Sequence, residues 1–289
     1  MRSFNPMVRW MLGVACAGAV GGCTDVIQVD LPDSEPLVVI DGRMTDLDPV
    51  LVKVTATANY FSQTQTPRIA GARVSLWADG VEVEVLQEDS VGYYSGTTLA
   101  QENIFYMVRV ETDENDPQLG SGIWESLSER LPRSLGIDSF YVGYLEDDPP
   151  FVDGWYTYFE FRDPPGSGDK YRLRRTRNDS ILDSPFDLSI FQDDFWDGRA
   201  FDNIDLPAIR LDGPLDSGTT FELEMAGISE RYFSYVALLA EQTAQVGGTF
   251  DPPPAPLQGN IRDRSTPGKL ALGYFSVQRV SRANTVVPE

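Results

Sequence analysis

The stretch ARVSLWADGVEVEVL, residues 72–86, sets a pattern that much of the chain repeats. Apolar Val74 and Leu76 alternate with their neighbours, as they do in a β-strand that buries one face. The dipeptide Asp79-Gly80 separates this run from a second alternating run, and it is a sequence that type I′ hairpin turns favour. The stretch therefore predicts a β-hairpin.

Residues 36–132 contain seven short β-rich runs with turn residues between them, and the hairpin supplies two of these runs. Many short strands at close intervals are typical of a β-sandwich. We therefore predict an all-β fold in which residues 36–132 form an N-terminal β-sandwich domain. Its predicted strands are residues 37–44, 51–58, 72–77, 81–86, 93–95, 105–111 and 123–128.

Leu131-Pro132 ends this first domain, and residues 133–289 form a second β-rich domain. The two together predict a tandem pair of β-sandwiches, because a chain of this length exceeds the usual size of one domain. The predicted strands of the second domain are residues 137–144, 155–162, 171–176, 188–192, 221–225 and 273–280.

One amphipathic helix is predicted, from Glu230 to about Thr243, with Ser229 as its N-cap. A lone helix in a β-rich domain most simply plugs an open sheet edge or an end of the sandwich, and we expect it there. The stripe that would face the protein comprises Tyr232, Phe233, Val236, Leu238, Leu239 and Thr243.

The N-terminus predicts a lipid anchor. Residues 1–22 are basic and contain an apolar run too short to span a bilayer, which is typical of a signal peptide. The residues Val20-Gly21-Gly22-Cys23 resemble the lipobox of bacterial lipoproteins, which implies cleavage before Cys23 and acylation of that residue; several acyl chains anchor a protein stably. The alternative is an ordinary cleaved signal with a spare cysteine. Residues 23–35 are acidic and contain prolines, and they predict a short tether.

Two absences exclude several kinds of chemistry. The chain has no histidine, and after cleavage Cys23 is its only cysteine, which excludes Ser-His-Asp and Cys-His catalysis, disulfides and the usual zinc ligands. Loss of Arg2 and Arg9 takes the formal net charge from −21 to −23, which excludes nucleic acid as a partner. Paired carboxylates could hydrolyse glycosides, but no motif supports this, so we expect neither an enzyme nor a cofactor.

Several short motifs then occur in a fixed order. They are LVVIDG (37–42), ARV (72–74), GYY (92–94), YFEFRDP (158–164), DDFWDG (193–198), YFSY (232–235), GNI (259–261) and LGYF (272–275). In this order they resemble the Bacteroidetes lipoproteins catalogued as domain of unknown function family 4249, over nearly all of the mature chain.

The resemblance implies an outer-membrane lipoprotein whose N-terminal domain is similar to an immunoglobulin-like or carboxypeptidase regulatory-like sandwich. Members are often associated with TonB-dependent receptors, which implies a non-enzymatic accessory or ligand-binding partner of an uptake complex. The acidic residues after Cys23 resemble the surface-export tags of Bacteroidetes lipoproteins, which favours the cell surface. The alternative is a free-standing surface adhesin or glycan-binding module. The resemblance implies no catalytic residues.

An acidic loop at residues 193–205 is a candidate calcium site, because oxygen-rich loops can hold that ion. Its spacing is not that of an EF-hand, and the alternative is a solvated loop whose aromatic residues pack inward. We assign no metal and keep three residues as candidates: Asp193, Asp194 and Asp197. Two further acids of the loop are Asp202 and Asp205, and its aromatic residues are Phe195, Trp196 and Phe201.

Two other stretches attract attention. Residues 171–177, YRLRRTR, are a basic island in an acidic chain, with Arg172 and Arg174 on one face of the expected strand. We expect its arginines to pair with the protein's own carboxylates; the alternative is a patch for an anionic ligand or partner. Residues 155–160 are rich in aromatics, and we expect them in the core rather than in a sugar-binding platform.

Overall fold

The structure is a computed structural model, and it describes residues 35–58, 66–133, 136–147, 149–182, 188–194, 197–201, 209–211, 215–244 and 257–288. Contacts divide the chain into Met1–Glu35 and Pro36–Glu289, and the second of these units is described below. The predicted signal peptide, Cys23 and nearly all of the tether lie outside the described residues, so they stay predictions.

The described part of Pro36–Glu289 is all-β with one helix, as predicted, and every strand predicted from the sequence is present. The strands are β1 (Val38–Thr45), β2 (Leu51–Ala56), β3 (Arg73–Ala78), β4 (Val81–Val85), β5 (Gln87–Ser90), β6 (Tyr93–Ser95), β7 (Phe105–Thr112), β8 (Gly122–Ser126), β9 (Glu129–Arg130), β10 (Ile137–Leu145), β11 (Gly154–Arg162), β12 (Lys170–Arg177), β13 (Ser180–Leu182), β14 (Ser189–Gln192), β15 (Ala200–Phe201), β16 (Ile209–Arg210), β17 (Thr220–Ile228), β18 (Ile261–Asp263) and β19 (Leu272–Val286).

The predicted hairpin is formed by β3 and β4, in which Ala78 pairs with Val81. Asp79 and Gly80 have φ angles of 48° and 81°. Positive φ at both central residues defines a type I′ turn, whose twist suits the two flanking strands.

A nine-stranded sheet organises the fold. Its strands run in the order β13-β12-β17-β19-β1-β2-β6-β5, and β14 also pairs with β12. The pairing of β1 with β19 is parallel, with Val39 opposite Leu272 and Thr45 opposite Gln278. A six-stranded sheet has the order β18-β8-β7-β3-β4 with β9 beside β7, and a four-stranded sheet has the order β10-β11-β15 with β16 beside β11.

Two cores lie on one face of the nine-stranded sheet, which we name the inner face. One core packs Ile40, Val52 and Phe275 against side chains of the six-stranded sheet such as Val108. The other packs Leu173, Leu223 and Met225 against the four-stranded sheet, including Phe159 and Phe161. Each pair of packed sheets is sandwich-like, because side chains from two inward faces meet between them.

Strand β19 pairs with strands from both halves of the described unit, residues 36–132 and residues 133–289. Its first part pairs with β1, and its second part pairs with β17 from Gly227 opposite Arg279 to Thr220 opposite Val286. The second partner is the reason that the strand continues six residues beyond the predicted end at Val280. Strands from both sides of the predicted domain boundary, between residues 132 and 133, therefore share one sheet; the boundary itself stays a prediction.

The helix α1 (Glu230–Ala244) packs on the opposite face of the nine-stranded sheet, which we name the helix face. Ser229 is its N-cap, with Oγ accepting a hydrogen bond from the Tyr232 amide at 3.2 Å. Tyr232 and Val236 pack there against a cluster that includes Ala226, Tyr274 and Val280. The helix thus covers a sheet face, where we had expected it at an edge or an end.

Only a narrow stripe of α1 is buried. Leu238 belongs to the predicted stripe but is 49% exposed. The helix contacts the sheet through the side that carries Tyr232 and Val236, which are its buried residues. No helix among the described residues is long and apolar enough to cross a membrane.

Candidate functional site

A groove with a volume of about 740 Å³ opens between the two halves of the described unit, residues 36–132 and residues 133–289. Leu131 and Pro132, which connect the halves, form part of its wall, together with Ile228 at the end of β17 and the N-cap residue Ser229 of α1. Arg279 also lines the groove, and its position on β19 lies between the residues that enter the two cores.

Arg279 fixes one side of the groove. Its side chain is 14% exposed, and it donates hydrogen bonds from Nη2 to Glu102 at 2.9 Å and from Nε to the Pro132 carbonyl at 3.3 Å. A second carboxylate, that of Asp46, lies 3.7 Å from Nη1. The guanidinium therefore joins the connecting segment to both β19 and the first half of the chain.

Arg133 fixes the other side. It makes a two-bond pair with Asp169, from Nε to Oδ1 at 2.9 Å and from Nη2 to Oδ2 at 2.6 Å, and it also reaches the Pro165 carbonyl at 2.8 Å. Pairs of this fork-to-fork geometry are stronger and more directional than single contacts. The loop between β11 and β12 is thereby held against the residues that follow β9.

Asp169 lines the groove and also belongs to a buried acidic cluster with Asp163 and Asp193. One carboxylate oxygen from each of the three lies within 4.8 Å of the other two. Asp163 and Asp193 are fully buried, and Asp169 retains 12% of its side-chain exposure. These residues come from the segments after β11, before β12 and after β14, so the fold alone brings them together.

Each carboxylate of the cluster accepts hydrogen bonds from the protein. Asp163 accepts from the Tyr171 hydroxyl and from the Gly198 amide at 2.9 Å, and Asp193 accepts from the Gly168 amide, with its two oxygens at 3.0 and 2.9 Å from that nitrogen. Asp169 is held by Arg133, as described above. Buried carboxylates require such donors, because an unpaired buried charge is costly.

The cluster shifts the pKa values of Asp169 and Tyr171. Burial raises the pKa of Asp169, and the charges of Asp163 and Asp193 raise it further, against the lowering effect of Arg133. Burial and the hydrogen bond to Asp163 raise the pKa of Tyr171 far above its usual value. The phenol therefore keeps its proton and donates a hydrogen bond to Asp163.

The cluster has the donor type that suits calcium, since that ion takes carboxylate oxygens. Of the three calcium candidates, the structure places only Asp193 in this cluster. Asp194 is exposed and accepts from the Gln192 side chain, and Asp197 is exposed and accepts from the Gly166 amide at 2.5 Å. Asp202 and Asp205, the aromatic residues Phe195 and Trp196, and the Phe201 side chain lie outside the described part of the chain.

Sequence reasoning missed Asp163 and Asp169, because neither lies near residues 193–205 in the chain. Asp163 is the penultimate residue of the motif YFEFRDP and immediately precedes Pro164. An aspartate between a predicted buried strand and a proline was the available signal, since such a residue caps the strand end and points inward. That signal gives no indication of which other acids join it.

The arginines of residues 171–177 have different surroundings. Arg174 lies 4.0 Å from Glu224, whereas Arg172 contacts the Tyr232 ring and hydroxyl and has no carboxylate within 4.0 Å in the described structure. Arg177 lies over the Phe221 ring, at 5.9 Å from its centroid. The expected pairing with carboxylates is therefore found at Arg174 but not at Arg172.

The aromatic residues of β11 are mainly in the core, as expected. Tyr156 and Phe159 are 3% and 5% exposed. Tyr158 stacks on Tyr141 across the strand pair, with ring centroids 5.0 Å apart and planes 9° apart. Since each of these two rings covers a face of the other, they do not form the flat side-by-side surface that sugars stack on.

The chain belongs to the family described as domain of unknown function (DUF4249), whose model matches residues 24–284. This match confirms the family that the sequence motifs indicated. No curated protein and no solved structure matches the chain.

Proposed function

We propose that this protein is an outer-membrane lipoprotein, anchored through acylated Cys23, that acts as a non-enzymatic accessory or ligand-binding partner of a TonB-dependent uptake complex. The sequence of residues 1–23 supports the anchor and the compartment. The groove between the two halves carries the binding part of the proposal. Its volume of about 740 Å³ is in the range of known ligand pockets, roughly 300–1,000 Å³.

The charges that line the groove favour binding over catalysis. Arg133 and Asp169 neutralise each other, as do Arg279 and Glu102, so the walls have fixed, paired hydrogen-bonding groups. Two-carboxylate hydrolysis needs both carboxylates at the substrate. Asp169 reaches the groove, but Asp163 and Asp193 are fully buried behind it and are not among the lining residues.

Labelling with a palmitate analogue tests the anchor. The wild-type protein and the Cys16→Ser control should incorporate the label and sediment with the outer membrane, whereas Cys23→Ser should do neither. A wild-type protein that is unlabelled and soluble would overturn the anchor and leave the groove proposal to be judged separately.

Affinity purification from solubilised outer membrane tests the partner. A TonB-dependent β-barrel receptor should copurify with the wild-type chain. Arg130→Glu inverts a charge in the groove wall at an exposed residue, whose guanidinium lies over the Phe105 ring, 5.5 Å from its centroid. It should lower recovery of the receptor about tenfold, equivalent to 1.4 kcal/mol.

Arg68→Glu is the matched control, since Arg68 is also exposed, also lies over one aromatic ring, that of Tyr93 at 5.1 Å, and does not line the groove. It should leave recovery unchanged. Equal loss in both variants would indicate a general charge effect, and copurification with no receptor at all would overturn the proposal.

A further inference from the structure

The helix face carries several cationic side chains in a chain that is acidic overall. Lys53, Arg172 and Arg174 lie on this face, because Lys53 is opposite Asp41, Arg172 is opposite Ala226 and Arg174 is opposite Glu224. Ala226 packs under α1, which identifies the face. The formal net charge of the whole chain is −21.

Four neighbouring charged groups on the same side neutralise one another. Glu224 accepts from Arg43 Nη2 at 2.7 Å and from Arg282 Nε and Nη2 at 3.0 and 2.8 Å. Arg282 also donates to both oxygens of Asp48, and Arg43 Nη1 lies 3.8 Å from that carboxylate. These two arginines and two carboxylates therefore have a combined net charge of zero.

Arg172 lacks such compensation. Its Nη1 donates to the Tyr232 hydroxyl, and its guanidinium lies 5.7 Å from the centroid of that ring. Its Nε atom is buried and has no hydrogen-bond partner. A buried donor left without a partner is unfavourable, so this guanidinium has hydrogen-bonding capacity that the described protein does not use.

Arg174 is only weakly compensated. Its nearest carboxylate is Glu224, at 4.0 Å, and that carboxylate is already held at shorter distance by Arg43 and Arg282. Glu222, one pair further along β17, makes no ion pair within 4.0 Å in the described structure. Arg172 and Arg174 therefore present two under-compensated guanidinium groups, two residues apart, on one strand face.

Asp41 lies beside these groups on the same face. It is exposed, and it is opposite Lys53 on β2 and Tyr274 on β19. The Tyr274 ring is 4.9 Å from the ring of Tyr232, which accepts the hydrogen bond from Arg172, and 5.1 Å from the ring of Tyr235. Desolvation by the surrounding protein raises the pKa of the Asp41 carboxyl, against the lowering effects of Arg174, Lys53 and Arg172. Tyr235 of α1 adjoins this carboxyl, since the Asp41 charge contributes to raising the pKa of the phenol to about 12.

We propose that this cluster, which comprises Asp41, Lys53, Arg172, Arg174 and Tyr235, binds an oxyanion group of a small ligand, with Arg172 and Arg174 as its principal partners. Two planar guanidinium groups offer paired N–H donors that match a carboxylate or a phosphate. Asp41 and the Tyr235 hydroxyl are placed to contact a neutral hydroxyl next to the charged group. The site is separate from the groove, so either can fail without the other.

Calorimetric titration of the intact folded protein with inorganic phosphate and with gluconate, at constant ionic strength, tests the proposal. Saturable binding of at least one probe is expected. The two probes distinguish the sources of the oxyanion, because phosphate lacks a carboxylate and gluconate joins one to a row of hydroxyls.

Arg172→Gln and Arg174→Gln should each weaken binding about tenfold or more. Arg172→Lys keeps the charge but loses the planar pair of N–H donors, so its affinity should lie between those of wild type and Arg172→Gln. Asp41→Asn, which removes a like charge, should tighten phosphate binding.

Arg177→Gln is the matched control, since it removes a positive charge from the same strand on the opposite face, and it should leave the affinity unchanged. Circular dichroism confirms that each variant is folded. The proposal is overturned if neither probe binds saturably at millimolar concentration, if folded Arg172→Gln and Arg174→Gln bind as tightly as wild type, or if Arg177→Gln weakens binding equally.

Discussion

Asn260 pairs its carboxamide with both backbone groups of Phe275, donating from Nδ2 to the carbonyl at 2.8 Å and accepting at Oδ1 from the amide at 2.9 Å. The side chain thereby behaves as one residue of a neighbouring strand, beside β19. The Asn260 carbonyl also accepts from the Leu127 amide at 2.8 Å. One fully buried residue thus joins the six-stranded sheet to the nine-stranded sheet.

Asn260→Ala should lower the free energy of unfolding by about 2–4 kcal/mol, because it leaves two buried backbone groups of Phe275 without partners. Urea denaturation measures the change. Asn284→Ala is the control, at an exposed residue of β19, the strand that contains Phe275. It should change stability by less than about 0.5 kcal/mol. Equal effects in the two variants would contradict the role given to the Asn260 side chain.

Gly273→Ala should destabilise the fold by more than about 3 kcal/mol or prevent folding, because its Cβ would lie 2.1 Å from the Ile40 carbonyl oxygen in the parallel pair of β1 and β19. Thermal melting or soluble yield measures this. Gly268→Ala separates the clash from backbone strain, since Gly268 has nearly the same positive φ, 91° against 92°, but open space around it. That variant should cost only about 1–2 kcal/mol.

Tyr94→Phe should cost about 1–3 kcal/mol, because the buried hydroxyl donates to the Ile69 carbonyl at 2.9 Å and accepts from the Ala72 amide at 3.0 Å. Both groups would lose a partner without any change of volume in the ring. Tyr93→Phe, next in the chain and half-buried, is the comparison, and chemical denaturation should show it to be nearly neutral. If Tyr94→Phe left the free energy of unfolding unchanged, water would have to replace the hydroxyl as the partner of both backbone groups.

Glu224→Gln should lower stability by about 2 kcal/mol at pH 7. Burial tends to raise the pKa of the Glu224 carboxyl, but Arg43 and Arg282 outweigh burial and hold it below its ordinary value of 4.5. A carboxyl whose pKa is lower in the folded state than in the unfolded state stabilises the fold when the pH is above the unfolded-state pKa. That stabilisation is lost as the pH falls through the folded-state pKa. The difference between wild type and variant should therefore shrink below about pH 4.5, measured by urea denaturation from pH 3 to 8. Glu222→Gln, on the same strand face, is the control and should change stability at pH 7 by less than about 0.5 kcal/mol.

Calcium at millimolar concentration should leave the melting temperature unchanged to within about 1 °C, because the carboxylates of Asp163, Asp169 and Asp193 already accept hydrogen bonds from protein donors. Magnesium is the control for a general effect of divalent charge. A rise of several degrees with calcium alone, absent in Asp193→Asn, would instead establish a calcium site in this cluster.

The strands could be predicted from the sequence because alternation and turn residues are local signals. The Asp79-Gly80 turn is the clearest case, since two adjacent residues specify its geometry. The parallel pairing of β1 with β19 could not be predicted, because residues as distant as Val39 and Leu272 leave no local pattern when they pair. Six short strands were missed for a related reason, since each is defined by its partner strand: β5, β9, β13, β15, β16 and β18.

The candidate sites were predicted less completely than the strands. The basic island could be located, and the alternation of its faces followed from strand geometry. Which arginine lacks a carboxylate could not be foreseen, because it depends on Tyr232 of the helix lying beside Arg172. Likewise, the acidic cluster unites residues from three separate segments, and the groove exists only where the two halves meet.

The position of β19 also sets the order of events during biosynthesis. Until residues 272–286 have paired, β1 and β17 each present an open hydrogen-bonding edge, and the sheet cannot close. Open edges of this kind invite pairing with other chains. A chaperone that shields unpaired strand edges is therefore most valuable to this molecule before β19 has joined the sheet.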